Sequence, residues 1–571
     1  MNPSATTDVL IVGAGPMGLL TSIGLAKQGV DTIVLDKRQR NVQVATGRAT
    51  TLYPRSLELL EPLGVTGDLL QRGFVGRSSV NYRNGKRVNG PGWNSMFDHV
   101  KLSYHDYLLN IRQCNSEEVF LSHYERCGKS VWYGWKLVTY SIDTSLDDGF
   151  HVTAILDHPT KGQSHVRSKY LLGADGGASS VRELSGITMD FQSTSYEWIR
   201  IDGKITTDMP GRNLGFASIE TEHHGNVLWV KLDKDANRIG YALTPHLLAK
   251  YPNGITEGEA VQEAIDSVKP FKLQIDRLDW WTHYKIRQGV TQLFRKNKYV
   301  LLGGDAAHIH SSGFAQGMNT GIHDATNLVW KLAGAVKGWY KDSVLDTYHT
   351  ERHGAATRLI EIDTEASTLI SGEIPPRYEA LGLTADEILW KTWNENISFN
   401  VGLGVSYARS VLNQNALDSC LETGKRCPDA LVRGPGINVP LRLYDALLQD
   451  RNPGRWSIVV FAGNTVLTKN GFEIDRKGLE KMADSHQGMI RFVTLVAGSA
   501  GSAWSALDGP ALGNCFFDGD GSAHAQYGVD LAEGAIVVIR PDTVLGFATG
   551  LSNVSSIADY FSQLVPSQGG M

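Results

Sequence analysis

The chain has 571 residues, 42% of them hydrophobic and 20% charged, a globular balance that excludes wholesale disorder and suffices for about three or four domains, or equally for two or three large ones. Its 55 basic residues against 60 acidic ones leave a net charge of −5, so a general nucleic-acid coat is not expected. No stretch approaches the ~20 apolar residues of a membrane span, and neither end carries a recognisable targeting signal, so the expected compartment is the cytoplasm.

Val9 to Val12 is a short apolar run that reads as a buried strand. It leads into Gly13-Ala14-Gly15-Pro16-Met17-Gly18, a Gly-x-Gly-x-x-Gly turn. From Met17 to Lys27 apolar residues recur at helical spacing, with Gly29 as a C-terminal stop. A second apolar run, Thr32 to Leu35, ends in Asp36. Glycines allow a tight turn and close approach of a pyrophosphate at the helix N-terminus, and an acid at the next strand end accepts from ribose hydroxyls. Strand, turn, helix, strand and acid together predict a dinucleotide site. They do not separate NAD from FAD.

Cys114, Cys127, Cys420, Cys427 and Cys515 include no Cys-x-x-Cys pair, so they read as reduced and structural. His308 and His310 sit two apart at a strand end, a poor spacing for a metal, and no metal site is expected.

Two distant segments add specificity. One is Leu171-Leu172-Gly173-Ala174-Asp175-Gly176-Gly177-Ala178-Ser179-Ser180-Val181-Arg182. The other runs from Tyr299-Val300-Leu301-Leu302-Gly303-Gly304-Asp305 through Gln316-Gly317-Met318-Asn319 to Asp324-Ala325-Thr326-Asn327-Leu328-Val329-Trp330-Lys331-Leu332. With the first turn they resemble, in order and spacing, the three fingerprints of the single-component (group A) FAD-dependent aromatic monooxygenases. The likeness is greatest to the phenol 2-monooxygenase branch and its fungal polyketide-hydroxylase relatives.

The resemblance implies FAD as cofactor and NADPH as cosubstrate. It implies that Gly13, Gly15, Gly18 and Asp36 hold the adenosine diphosphate half of FAD. Asp305 would accept from the ribityl chain, and Gln113 would reach it from a helix. Ala315, Gln316, Gly317, Met318 and Asn319 would open a helix whose N-terminus favours negative charge on the flavin pyrimidine. Asp175 would contact FAD and shape the NADPH path, with Arg182 in the same motif; read from the residues alone, the pair also fits a helix cap with a salt bridge. Arg48, in Gly47-Arg48-Ala49, would contact flavin or pyrophosphate, and Arg55-Ser56-Leu57-Glu58 would lie along the flavin. Tyr284 matches a family tyrosine that contacts substrate and flavin. Tyr241 and Arg200 are softer catalytic candidates, the arginine as a holder of a phenolate or carbonyl.

Two positions depart from the phenol-hydroxylating pattern. Thr50 stands where those enzymes carry an acid that accepts the phenolic proton, and a threonine is no general base at neutral pH. Ser311-Ser312-Gly313-Phe314-Ala315 replaces a proline and small residues, so Ser312 and Phe314 should change the wall beside the flavin. Both differences argue against simple phenol as substrate and suit a pocket recut for another phenol, a more acidic one being one such choice.

Alternating runs such as Asn226 to Lys231 and Arg238 to Leu243 predict sheet strands over the substrate. The predicted architecture is α/β: a Rossmann-like FAD domain of the glutathione-reductase type (1–185 and 285–370), an interleaved substrate-binding β-sheet domain (80–110 and 190–284), a helical connection (371–432) with a hinge at Arg433-Gly434-Pro435-Gly436, and a thioredoxin-like C-terminal domain (433–571) without redox cysteines. The expected reaction is hydroxylation of a phenolic, polyketide-derived aromatic by O2 through a C4a-hydroperoxyflavin. Dearomatisation, rearrangement or ring contraction after the same hydroxylation is one alternative; a flavin dehydrogenase without oxygen transfer is another, and an idle flavoprotein scaffold a third. The resemblance also implies a homodimer.

Overall fold

The computed structural model describes residues 5–40, 49–89, 92–414, 421–448, 451, 453–485, 488–499 and 501–566. Arg48 and Cys420 lie outside them, so the expectations for those two residues stay with the sequence.

The first sheet is built on the strand Ala5–Val12, which pairs in parallel with Thr32–Asp36 on one side and Gly162–Gly173 on the other. Val300–Leu302 continues the parallel array beyond Gly162–Gly173. Val9, Leu10 and Ile11 are fully buried, as a strand covered on both faces demands. The helix Pro16–Lys27 packs against the 21-residue helix Gln316–Val336. Gly24 permits this approach: a Cβ there would lie 2.7 Å from both methyls of Val329. Next follows the 29-residue helix Asp342–Ile370.

The second sheet covers the first domain. Its longest strands, Met189–Thr207 and Leu273–Thr291, run antiparallel with Trp198 opposite Tyr284 and Arg200 opposite Thr282. Strands Asn237–Ala242, Gly225–Lys231 and Gly215–Thr221 continue the antiparallel ladder, Ser78–Arg83 joins it in parallel, and the short strand Lys86–Arg87 forms the edge. The sheet runs on through Thr291, past the predicted end at 284, while Leu108–Asn110 pairs instead with short strands near Thr51 and Phe74. Side chains alternate between faces. Ile199, Ile201, Ala217, Ile219, Trp229, Ile239 and Tyr241 form the rear core, under the helices Pro245–Lys250 and Glu257–Asp266. Trp198, Arg200, Gly240, Leu228 and Tyr284 share the opposite, front face.

Among the described residues the predicted helical connection is helical only as far as Ile397–Asn400, after the cover helix Ala385–Glu395. Trp390 and Trp393 on that helix, with Trp93, Phe216 and Phe314, form one buried aromatic cluster in front of the second sheet.

In the C-terminal domain the fully buried strand Trp456–Gly463 is central. It runs parallel to Ile490–Ala497, which runs parallel to Asn514–Asp518, and antiparallel to Ala535–Ile539, which pairs with Leu545–Gly550. This is a thioredoxin-like order. Arg433 pairs with Phe517 of the edge strand, so the predicted hinge is already part of this domain. Cys427 and Cys515 are buried free thiols. Among the described residues no helix is long and apolar enough to cross a membrane.

A buried ionic clasp joins the first and last domains. Arg540 donates to Glu351 at 2.6 and 2.9 Å and to Asp542 at 2.7 Å. Lys331 adds 2.7 Å to Glu351, and Arg55 reaches Glu58, Thr543 and the Asp542 carbonyl. Arg426 grips Glu58 with two bonds, 2.6 and 2.8 Å. The charges of Arg55 and Glu58 therefore face the C-terminal domain.

Candidate active site

The glycine turn is shaped by what its glycines lack. Gly13 has φ +110°, and a Cβ on it would lie 2.2 Å from the Ala174 carbonyl oxygen. A Cβ on Gly18 would lie 2.0 Å from the Gly13 carbonyl. Gly15 differs: a Cβ there meets nothing within 4 Å. The turn thus packs tightly at Gly13 and Gly18 and opens at Gly15, beside the N-terminus of Pro16–Lys27, as a pyrophosphate cradle requires. Asp36 accepts from Ala14 N at 2.9 Å and Arg38 N at 2.8 Å, which fixes its carboxylate next to that turn.

The other two motifs divide between holding and offering. Asp175 accepts from Ser180 N at 2.7 Å, Ser180 Oγ at 3.0 Å and Ser179 Oγ, capping the short helix Ser180–Leu184. Arg182 donates to the carbonyls of Gly177 (2.7 Å) and Ala306 (3.0 Å). Asp175 thus caps the helix and Arg182 braces the two turns beside it, the helix-cap arrangement that the residues alone also fit. Asp305, one turn away, is exposed and has no hydrogen-bond partner among the described residues.

Asp324 fixes the turn that presents Asp305. It accepts from Gly304 N (2.9 Å) and Arg352 Nε (2.7 Å) and bonds His308 Nε2 (2.8 Å). Burial alone would raise its pKa, but Arg352 and His308 outweigh burial and hold it far below the usual carboxylate range. Asp324 was visible in the third motif, yet nothing in the sequence ties it to a turn twenty residues back. His308 is thereby a structural partner of Asp324; among the described residues no group of three or more His, Cys, Asp or Glu is placed to hold a metal.

Ala315 adopts a left-handed conformation (φ 54°, ψ 34°) and caps Gln316–Val336. Asn319 accepts from Tyr53 N at 2.9 Å and donates to Thr51 O and Ala315 O. The Gln316 amide donates to Asn400 O in the segment after the cover helix. These side chains brace the helix, Met318 is buried, and Gly317 leaves its own surface open, its nearest neighbour to a Cβ being His310 at 3.8 Å. What the helix offers a ligand is its unpaired first-turn N–H groups. Gln113 opens the helix Gln113–Arg126, bonding Glu117 at 2.8 Å and, weakly, Ala49 N at 3.4 Å. Thr50 is buried beside it and accepts from Ile111 N through its carbonyl.

On the front face of the second sheet Tyr284 hydrogen-bonds Ser312 through its hydroxyl. Arg200 donates to Ser312 Oγ at 3.0 Å and to Ile199 O at 2.9 Å, with its guanidinium 5.0 Å from the Trp198 ring centre. Gly240 makes room for it, since a Cβ there would lie 2.5 Å from Arg200 Cδ. Burial lowers the Arg200 pKa, and Tyr284 opposes this. The loop is pinned from behind: Asp363 accepts from Ser311 N, Ser311 Oγ and Gln288 Nε2, each at 2.6 Å. Ser312 therefore joins Tyr284 and Arg200 three residues before the helix cap at Ala315. Phe314 turns away, its ring 4.7 Å from that of Trp393. Tyr241 does not join them. Its side chain faces the rear core and its hydroxyl donates to Ala260 O at 2.8 Å, so its catalytic assignment is corrected.

A tight glycine turn opening at Gly15, an exposed acid at a strand end and an open helix N-terminus are the parts of a dinucleotide-binding site. The sequence matches the FAD binding domain family over residues 6–363, and the chain belongs to it. Residues 506–569 match the phenol hydroxylase C-terminal dimerisation domain. An FAD-dependent monooxygenase of Aspergillus thermomutatus is 26% identical, the match covering 98% of this chain and 98% of that protein. A phenol 2-monooxygenase of Aspergillus fumigatus is 24% identical over 99% of this chain and 97% of that one. Aklavinone-11 hydroxylase, solved with FAD and aklavinone, shares the fold with a TM-score of 0.75 at 20% identity, covering 99% of each chain. Family and relatives make this chain a flavin-dependent aromatic monooxygenase.

Proposed function

We propose that the protein uses NADPH and O2 to hydroxylate a phenolic, polyketide-derived aromatic. One oxygen atom enters a ring C–H as hydroxyl and the other leaves as water; NADPH supplies a hydride and solvent a proton. FAD, when bound, carries the two electrons from NADPH to oxygen. Gly13, Gly15, Gly18 and Asp36 would hold its diphosphate half, Asp305 and Gln113 its ribityl chain, and the N-terminus of Gln316–Val336 its pyrimidine ring. Arg48 is proposed from likeness alone.

The observation that carries this reading is the Tyr284–Ser312 contact. It joins the front face of the substrate sheet to the loop that opens the cofactor helix. An aromatic ring lying on that face would meet the flavin edge, with Tyr284 at its oxygen. Trp93, Phe216 and Trp393 would help exclude water, which the chemistry needs.

The proposed assembly is a homodimer through the C-terminal domain. The dimerisation-domain match supports it, as do the exposed side chains of Val466 and Trp504, 88% and 64% accessible, on that domain.

Labelled O2 tests the function. Purified holoenzyme with NADPH should place one labelled atom in the product of an alkylated dihydroxybenzaldehyde or a larger polyketide phenol, and none in plain phenol. The product's structure then distinguishes simple hydroxylation from dearomatisation or ring contraction. NADPH oxidation with an oxidised product that holds no label would replace the proposal with a dehydrogenase.

A further inference from the structure

The two longest helices, Gln316–Val336 and Asp342–Ile370, are bolted together twice by buried polar side chains. The outer bolt is Glu351, which accepts from Lys331 at 2.7 Å and Asn327 at 2.8 Å. The inner bolt is the next residue, Arg352, whose Nε donates to Asp324 at 2.7 Å.

The inner bolt reaches the turn that presents Asp305. Asp324 holds Gly304 N and His308, one on each side of Asp305. One helical turn before Arg352, Tyr348 donates its hydroxyl to the Leu302 carbonyl at 2.8 Å. Met17 closes the turn from the direction of the glycine motif: a Cβ on Gly303 would lie 2.3 Å from Met17 Cε. A turn packed this closely has no slack, so a shift of Asp342–Ile370 carries Asp305 with it.

The outer bolt is completed by the C-terminal domain. Arg540 forks onto Glu351 at 2.6 and 2.9 Å, and Asp542 accepts from Asn327 at 3.2 Å. Tyr407 links the two bolts. Its hydroxyl accepts from Arg352 Nη1 at 3.1 Å, and its ring centre lies 5.4 Å from the Arg540 guanidinium carbon. In this cluster Lys331 and Arg540 balance Glu351 and Asp542. Loosening Arg540 leaves two buried carboxylates facing one lysine, a strain that falls on both helices.

We propose that Arg540 and Tyr407 are positioning residues of the cofactor site: docking of the C-terminal domain sets the placement of Asp305, and with it the affinity for FAD. The coupling is reciprocal, so FAD tightens that docking by the same factor. The proposal rests on the assignment of Asp305 to the ribityl chain and extends the cofactor site to a domain that holds none of its direct contacts.

The test is a fluorescence titration of the FAD-free, full-length protein with FAD, without NADPH or aromatic substrate, so oxygen transfer plays no part. Arg540→Lys keeps the charge and loses the fork; it should weaken FAD binding roughly 10-fold, a size usual for coupled sites. Tyr407→Phe removes only the hydroxyl and should cost about three- to five-fold. Tyr340→Phe is the control. It breaks a different bond to the C-terminal domain, from Trp456 Nε1 to the Tyr340 hydroxyl at 2.8 Å, and should leave FAD affinity unchanged. Asp305→Ala should weaken FAD binding roughly 30-fold, by loss of hydrogen bonds to a carboxylate. In the Asp305→Ala background Arg540→Lys should change affinity by less than about two-fold, because the group it positions is gone. Circular dichroism and urea denaturation identify a variant that has failed to fold; if Arg540→Lys is one, Tyr407→Phe and its combination with Asp305→Ala decide. The proposal is overturned if folded Arg540→Lys and Tyr407→Phe bind FAD like the wild type, if Tyr340→Phe weakens FAD as much as they do, or if their effect persists undiminished without Asp305. Unchanged affinity in Asp305→Ala would sink the assignment of Asp305 and this proposal with it. A normal loss in Asp305→Ala beside wild-type affinity in the other variants would sink the positioning role alone.

Discussion

Two buried polar regions of this molecule are built to opposite rules. In the clasp between the first and last domains every charge is met: Arg540 by Glu351 and Asp542, Lys331 by Glu351, Arg55 and Arg426 by Glu58. On the front of the substrate sheet Arg200 has no acid among the described residues, Tyr284 and Ser312 keep a hydroxyl hydrogen in reserve, and at the end of Val300–Leu302 Asp305 stands exposed. The contrast separates charges that hold the protein together from groups kept for something the chain does not contain. The glycine turn repeats it in steric terms: closed at Gly13 and Gly18, open at Gly15.

The largest expected effect breaks the closed side. Arg540→Met leaves Glu351 and Asp542 buried with too little positive charge, so it should cost about 3–5 kcal/mol in urea denaturation. A loss below about 1 kcal/mol would place the clasp with solvated surface pairs and dissolve the contrast.

The glycines allow the same substitution on both sides. Gly13→Ala puts a methyl 2.2 Å from a backbone oxygen at φ +110° and should prevent normal folding. Gly15→Ala adds its methyl to open space, at an ordinary φ of −77°. Its stability without cofactor should stay within ~0.5 kcal/mol of wild type. Its FAD affinity should fall by about 2 kcal/mol, roughly 30-fold, as the methyl crowds the cofactor. Equal FAD affinity in Gly15→Ala would show that the cradle is not where FAD binds.

Behind the substrate sheet, Glu263 belongs to the closed class. Burial alone would raise its pKa, but bonds to Lys250, Tyr251 and His224 lower it from 4.5 to about 2. A carboxylate whose pKa falls on folding adds stability above its unfolded pKa, and that contribution drains away as pH falls from 4.5 through about 2. Lys250 is half exposed, so screening leaves about 1 kcal/mol. Glu263→Gln should flatten this part of the acid limb in a stability–pH profile; an unchanged limb would mean the carboxylate gains nothing from its partners.

Much of the closed architecture was legible because it is local. The turn from Gly13 to Gly18, its flanking strands and Asp36 are contiguous, and their spacing dictates their geometry. The open site was harder, because it is assembled by register. Arg200 and Tyr241 both lie on alternating strands, and each reads equally well as facing substrate. Only the pairing of Ile199 with Tyr241 shows that Tyr241 shares the rear face, one residue out of phase with Arg200. Likewise, Arg55 and Glu58 sit inside a segment of the expected kind, but their partners are supplied by Arg426 and Asp542 from the far end of the chain. Ser312 was visible as a departure from the family pattern; its double contact with strands more than a hundred and nearly thirty residues earlier was not.

The smallest predicted effect tests that phase directly with two tyrosines. Tyr241→Phe deletes a hydroxyl that donates to Ala260 O inside the rear core, leaving one carbonyl underused. It should cost about 1 kcal/mol of stability and leave the pH dependence of anion binding as it was. Tyr284→Phe removes a hydroxyl from the front cluster, where Ser312 remains as an alternative donor to the ligand. It should change stability little, because Tyr284 is only partly buried, but weaken binding of 4-nitrophenolate several-fold by loss of one charge-assisted bond. The two variants remove the same atom from opposite faces of one sheet. If both altered anion binding alike, the front and rear faces would not be functionally distinct, and the assignment of Tyr241 to the core would fail with them.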